Sequence, residues 1–120
     1  MRYDTNLASE YYILSCLYRQ GYEAFITLGN KKAIDIVVKF DQKIATIDVK
    51  GMAGTTSFPV DNFDASKKEG NHFLVFISFL SRMPDINTIP EIYIVPAKDV
   101  EKLTYVNPKQ SRRVVNLSSL

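Results

Sequence analysis

The chain has 120 residues, of which 46% are hydrophobic and 23% charged, and its net charge is +2. These values predict one folded domain, residues 1–120, and exclude a disordered chain or a protein that binds polyanions over its whole surface. One cysteine, Cys16, excludes an intrachain disulfide, and one histidine, His72, argues against zinc chemistry. The N-terminus has no apolar signal core, and no run reaches the about 18 apolar residues of a membrane span. We therefore expect a cytoplasmic protein without a membrane partner.

The first predicted element is a helix from Thr5 to Gln20, with Thr5 or Asn6 as its cap and Gly21 as its end. At about 100° per residue, one apolar arc runs along this helix and is expected to face the core. Its members are Leu7, Tyr11, Leu14, Leu17 and Tyr18. Glu10 falls inside the arc, where a carboxylate is costly unless it is paired or bound to metal. Glu10 therefore either points toward the sheet or lies at the edge of the stripe and reaches solvent.

Three strand-like runs follow the helix, over 22–28, 33–40 and 44–50, with connections short enough for an antiparallel meander. The segment 51–71 is looser, and its polar part from Asp64 to Gly70 is compatible with a short helix. Residues 72–80 are strongly apolar and predict a buried strand. A further strand over 91–95 and a short helix over 96–103 complete the pattern, which predicts an α/β domain with a mixed sheet. The order of the tail, about 107–120, is left open.

The carboxylates of the second and third runs fall on one face, because side chains alternate along a strand. A two-residue loop at Asp41-Gln42 would pair Phe40 with Lys43 and place Asp35 opposite Asp48. A four-residue loop gives the same pairing, whereas a three-residue loop shifts it by one. Opposed like charges are destabilising, and a divalent cation such as Mg²⁺ relieves the repulsion because it prefers carboxylate oxygens.

The helix with Glu10, the dipeptide Ile34-Asp35 and the run Asp48-Val49-Lys50 together resemble the PD-(D/E)XK nuclease superfamily. That superfamily includes restriction endonucleases and archaeal Holliday-junction resolvases. Ile34 stands where the family name has proline. The resemblance covers about residues 5–80 and implies a single nuclease-like domain of restriction-endonuclease-like fold: a mixed β-sheet flanked by helices, with an α-β-β-β-α-β core.

The resemblance also implies an activity, the Mg²⁺-dependent (or Mn²⁺-dependent) endonucleolytic hydrolysis of DNA phosphodiester bonds. Branched or other specific DNA structures are candidate substrates. By this resemblance Asp35, Asp48 and the carbonyl of Val49 bind the metal, Glu10 supports it, and Lys50 acts on the nucleophilic water.

Four lysines are candidates for DNA contact, since they flank the motif or follow it: Lys31, Lys32, Lys67 and Lys68. The alternative is that they only solubilise a turn and a helix face. A chain this short has little room for specificity elements, so we expect a homodimer to span a duplex. Two other readings stay open: a catalytically inactive module of the same fold that binds nucleic acid or a protein partner, and an accessory factor without a site.

Overall fold

A computed structural model of the chain describes residues 3–27, 34–61, 70–106, 108–109 and 112–120. The elements in chain order are α1 (Thr5–Arg19), β1 (Glu23–Ile26), β2 (Ile36–Phe40), β3 (Lys43–Met52), β4 (Ser57–Pro59), β5 (His72–Ser78), β6 (Glu91–Pro96), α2 (Ala97–Leu103), β7 (Thr104–Val106), β8 (Arg113–Asn116) and a 3-10 turn (Leu117–Ser119). Within these ranges, no helix combines the length and the apolar character that crossing a membrane requires.

The central sheet has five strands in the order β1-β2-β3-β5-β6. Strands β1, β2 and β3 form the predicted antiparallel meander, β5 lies parallel to β3, and β6 is antiparallel to β5. The predicted mixed α/β sheet is therefore confirmed. The predicted helix within 64–70 lies almost entirely outside the described residues.

Helix α1 begins at Thr5 as predicted, but its cap is Asp4 rather than Thr5 or Asn6. The Oδ1 of Asp4 accepts a hydrogen bond of 3.0 Å from the Leu7 amide, which otherwise has no partner in the first turn. Gly21 ends the helix as predicted, with a φ of +87°. The amides of Gly21 and Tyr22 donate to the carbonyls of Tyr18 and Leu17, the bond pattern of a Schellman cap.

The predicted core face of α1 is wrong in part. The residues of α1 buried against the sheet are Ser9 and Ile13, whereas Leu7, Tyr11 and Tyr18 are about half exposed. The reason lies in β3, where Gly51 has no side chain and Ser9 rests directly on its backbone. This close approach turns Ser9 and Ile13 toward the sheet, with Leu14 and Leu17 of the predicted arc partly buried beside them. The other three members of the arc lie on the outer side of the helix.

A second sheet, in the order β4-β8-β7, covers the other face of the central sheet and was not predicted. It closes a second core in which Phe58, Phe76 and Val115 are fully buried. The tail left open by the sequence thus contributes a strand, β8, whose Val115 is buried. It is held by Asp61, whose Oδ1 accepts a 2.8 Å hydrogen bond from the Arg113 amide and whose Oδ2 lies 3.5 Å from Arg112 Nε.

Candidate functional site

The hairpin of β2 and β3 has the predicted register. Phe40 pairs with Lys43 across the turn, and Ile36 pairs with Ile47 at the far end. Asp35 directly precedes β2 and lies beside the next part of β3, since its amide donates to the Ile47 carbonyl at 2.8 Å. Its side chain is also held there, because Asp35 Oδ2 accepts a 2.7 Å hydrogen bond from the Val49 amide. The main chain of β3 thus orients the Asp35 carboxylate.

Asp48 is a buried carboxylate, with only 4% of its surface exposed. Lys50 Nζ lies 3.4 Å from Asp48 Oδ2, which makes an ion pair, but the geometry is not that of a hydrogen bond. Among the described residues Asp48 Oδ2 therefore has no hydrogen-bond partner. A buried carboxylate oxygen that accepts no hydrogen bond is unfavourable in a structure that uses it only for stability.

The environment of Asp48 favours its neutral form. Burial raises the pKa of Asp48 to about 6, and the adjacent charge of Asp35 and a hydrogen bond with it act in the same direction. The ammonium group of Lys50 opposes these effects and lowers the pKa. The net pKa is raised, so the positive charge of Lys50 does not offset the effects of burial and of the neighbouring carboxylate of Asp35.

Glu10 lies close enough to Asp35 and Asp48 for their charges to affect its pKa. Burial raises the pKa of Glu10, and the charges of Asp35, Asp4 and Asp48 raise it further. The position of Glu10 does not follow from the predicted apolar arc, because that arc faces solvent in part. It follows from the contact of the adjacent Ser9 with Gly51, which brings the first half of α1 over the end of β3.

The donor set fits a hard divalent cation that keeps water ligands. Asp35 and Asp48 supply two carboxylates, and the Val49 carbonyl belongs to the same stretch of β3. In the part of the chain that the structure describes, no three Asp, Glu, His or Cys side chains converge as a metal-binding group. Mg²⁺ commonly binds through one or two carboxylates and several waters, which is the number of carboxylates that Asp35 and Asp48 supply.

The four lysines proposed for DNA contact, Lys31, Lys32, Lys67 and Lys68, all lie outside the described residues. His72 is described and has a structural position: it is buried at the start of β5, with Nδ1 2.6 Å from the Thr46 hydroxyl.

The sequence predicts a loop over 81–90 after β5, but no role was assigned to it. Its first residues are joined to the end of β3, because the Phe79 amide donates to the Met52 carbonyl and the Ser81 amide donates to the Ala53 carbonyl. The loop therefore begins where β3 leaves the site. The available signal was Ile86 and Ile89, two isoleucines in a polar loop without the alternation that would bury them.

No protein-family model matches the sequence, and the search of curated proteins found no match. Among solved structures, the chain is similar to a bacterial homing endonuclease, I-Ssp6803I, with a TM-score of 0.61. The likeness covers 98% of this chain and 76% of that chain, and the two sequences are 10% identical. At this identity the likeness concerns the fold, which is α/β with a mixed sheet and is shared with an endonuclease.

Proposed function

We propose that the chain is a metal-dependent endonuclease of the PD-(D/E)XK type that hydrolyses DNA phosphodiester bonds. The observation that carries the proposal is the buried Asp48 carboxylate, which faces Asp35, contacts Lys50 and leaves Oδ2 without a hydrogen-bond partner among the described residues. The fold shared with a homing endonuclease supports the same class of activity.

Asp35, Asp48 and the Val49 carbonyl would hold Mg²⁺ or Mn²⁺, with Glu10 as a supporting carboxylate. When bound, such an ion lowers the pKa of a coordinated water and offsets charge on the scissile phosphate. The protein prepares this site at a cost to its own stability. The Val49 amide fixes Asp35, and burial excludes water from Asp48, so that its carboxylate is kept for a cation.

Lys50 is proposed as the residue that acts on the reacting groups. Its ammonium group is held near Asp48 Oδ2 and is only partly exposed. From this position it orients the attacking water and donates hydrogen bonds to the phosphate oxygen on which charge develops. This role requires a positive charge at the end of the side chain, and a neutral side chain of similar length has none.

The test of this proposal is cleavage of supercoiled plasmid and of a four-way DNA junction in the presence of Mg²⁺ or Mn²⁺. We expect Lys50→Met to lower the cleavage rate by about 100-fold or more, in line with the loss of a general acid–base or charge-stabilising group. Lys39→Met is the matched control, because Lys39 is exposed on β2 and should leave the rate unchanged.

Equal cleavage by the wild type and by Lys50→Met contradicts the proposed role of Lys50. If the wild type cleaves neither substrate with either metal but binds DNA, the chain is the inactive nucleic-acid-binding module instead. Plasmid and junction together also test whether the activity depends on DNA structure.

A second copy of the chain is the proposed protein partner, and the outer face of α1 is the proposed contact. Leu7, Tyr11 and Tyr18 lie about half exposed on this face at helical spacing. An uncharged stripe of this kind complements itself across a two-fold axis. We expect the wild type to sediment as a dimer and Tyr11→Lys as a monomer, because the substitution places a charge in the stripe.

Asn6→Lys is the control for this measurement, since Asn6 is exposed on α1 but lies away from the stripe. A wild type that stays monomeric at every concentration tested, or a Tyr11→Lys variant that remains dimeric, contradicts this interface.

A further inference from the structure

The loop from Arg82 to Ile89 lies at the edge of the sheet that carries the candidate site. Strands β3 and β5 run in parallel, with Lys50 beside Phe76, and the Ser81 amide bonds to the Ala53 carbonyl at 2.7 Å. Lys50 and Ala53 are three residues apart, so the loop begins about 10 Å from Lys50 along the strand. This separation is comparable to the width of the DNA major groove, which is about 12 Å.

Two isoleucines in this loop are exposed to an unusual degree, Ile86 at 94% and Ile89 at 82%. The backbone of the loop that carries them is hydrogen-bonded in regular turns. The amide of Asp85 donates to the Arg82 carbonyl and the amide of Thr88 to the Asp85 carbonyl, each at 3.0 Å. The loop thus consists of two successive turns, and Asp85 Oδ1 further accepts a 3.0 Å hydrogen bond from the Asn87 amide.

The backbone before the loop is also held in an uncommon conformation. Leu80 and Ser81 have φ values of +58° and +60°, in the left-handed region that non-glycine residues seldom occupy. Their neighbour Ser78 anchors this bend, because its hydroxyl donates to the Gly54 carbonyl at 2.7 Å and accepts from the Leu80 amide at 3.2 Å. The loop that exposes the two isoleucines therefore starts from an ordered bend joined to the end of β3, the strand that carries Asp48 and Lys50.

The residue types in the loop fit DNA bases better than DNA phosphates. Arg82 and Asp85 cancel in charge, so the loop adds no net attraction for the backbone. Isoleucine offers an apolar surface to thymine methyl groups or base edges, and Arg82 and Asn87 offer donors that pair with guanine and adenine. Phosphate contacts position a protein on DNA, whereas contacts of this second kind carry sequence specificity.

We propose that the loop 82–89 is a base-reading element, in which Ile86 and Ile89 contact bases next to the cleavage site and so determine where the DNA is cut. This inference rests on the proposed nuclease function, because it takes DNA to be the ligand of the site that contains Asp48. It adds a specificity determinant that lies outside the catalytic residues.

The test compares Ile86→Ser/Ile89→Ser with the wild type in binding to a randomised duplex library, without divalent metal. Bound duplexes are sequenced, and dissociation constants for the enriched duplex are measured by fluorescence anisotropy over a range of salt concentrations. We expect the double variant to bind that duplex about 10-fold to 100-fold more weakly and to lose the preference at one or more base positions. The slope of log Kd against log salt should not change, because no phosphate contact is removed.

Ile44→Ser is the matched control. Ile44 is also exposed, but it lies at the hairpin end of β3, six residues and so about 20 Å from Lys50. It should leave both the base preference and the affinity unchanged. Both isoleucine variants should keep the wild-type Tm, which confirms that they are folded.

Several outcomes overturn the inference. An unchanged preference in the double variant, no preference in the wild type, or a changed salt slope each contradicts base reading. A double variant that turns a wild-type dimer into a monomer assigns the loop to a protein interface instead. Binding is measured without cleavage, so failure of the loop is distinguished from failure of the nuclease proposal, which the Lys50 variant tests by itself.

Discussion

The Asp48→Asn variant is expected to be more stable than the wild type without metal and to have no metal-dependent cleavage. The wild-type carboxylate is buried and faces Asp35, and its Oδ2 has an ion pair with Lys50 but no hydrogen-bond partner among the described residues. An amide keeps the shape and removes the charge. We expect a gain of about 1–3 kcal/mol in the free energy of unfolding, from the rise in pKa at about 1.4 kcal/mol per unit.

The gain in the free energy of unfolding should increase with pH, because the pKa of Asp48 is raised in the folded chain. Burial raises the pKa of Asp48 from its ordinary value of 3.8 to about 6 in the folded chain. Between these values the folded state holds more protons than the unfolded state, so wild-type stability falls as pH rises from about 4 to about 6 and is then level. The Asp48→Asn variant lacks this fall. Its advantage should therefore be absent below about pH 4 and complete above about pH 6.

Thermal unfolding in EDTA across this pH range measures the effect, with an expected rise in Tm of about 4–12 °C at neutral pH. Asp41→Asn is the control, because Asp41 is exposed in the hairpin turn at a φ of +54°, a conformation that asparagine also adopts. Added Mg²⁺ should raise the Tm of the wild type and not that of Asp48→Asn. A less stable Asp48→Asn protein would show that the carboxylate stabilises the fold, and a metal response in that variant would place the cation elsewhere.

Gly51→Ala is expected to destabilise the protein by about 1–3 kcal/mol, the usual cost of overpacking a closely packed site. A Cβ at Gly51 would lie 1.9 Å from Ser9 Oγ, 2.8 Å from Ser9 Cβ and 3.3 Å from the Thr5 carbonyl oxygen. Rotation of the Ser9 hydroxyl removes only the first of these contacts, so α1 has to move away from β3. Because Lys50 precedes Gly51 and α1 carries Glu10, the displacement should also lower the cleavage rate.

A double-mutant cycle separates this contact from a general effect on β3. Ser9→Gly removes the atoms in conflict, although glycine inside a helix costs about 1 kcal/mol. Ser9→Gly/Gly51→Ala should therefore be more stable than the sum of the two single changes predicts. Gly54→Ala is the control, because the nearest atom to its added Cβ is Ser81 Oγ at 3.9 Å. Additive effects of the two changes would contradict the close approach of α1 to Gly51.

The central hairpin and its carboxylates were within reach of sequence reasoning, because both depend on local rules. Alternation along β2 and β3 separates Ile36, Ala45 and Ile47 from the face of Asp48, and the short turn at Asp41-Gln42 sets the register. The end of α1 at Gly21 was likewise readable, since it requires a residue that tolerates positive φ. In each case the interacting residues are close in sequence, so their arrangement can be predicted from the local sequence pattern.

Other features needed the tertiary structure. Helical periodicity indicated an apolar arc on α1, but the face that meets the sheet was decided by the absence of a side chain at Gly51, more than 30 residues away in sequence. The second sheet joins β4 to β8 across a similar gap in the chain, and no local pattern specifies such a pairing.

The candidate site divides in the same way. Alternation and the length of the turn were enough to predict that Asp35, Asp48 and Lys50 share one face of a hairpin. The burial of Asp48, the bond from the Val49 amide to Asp35 and the joining of the loop after β5 to the end of β3 could be seen only once the chain was folded. Burial and long-range contacts depend on distant segments of the chain that pack against a residue. The local sequence around that residue does not specify which segments these are.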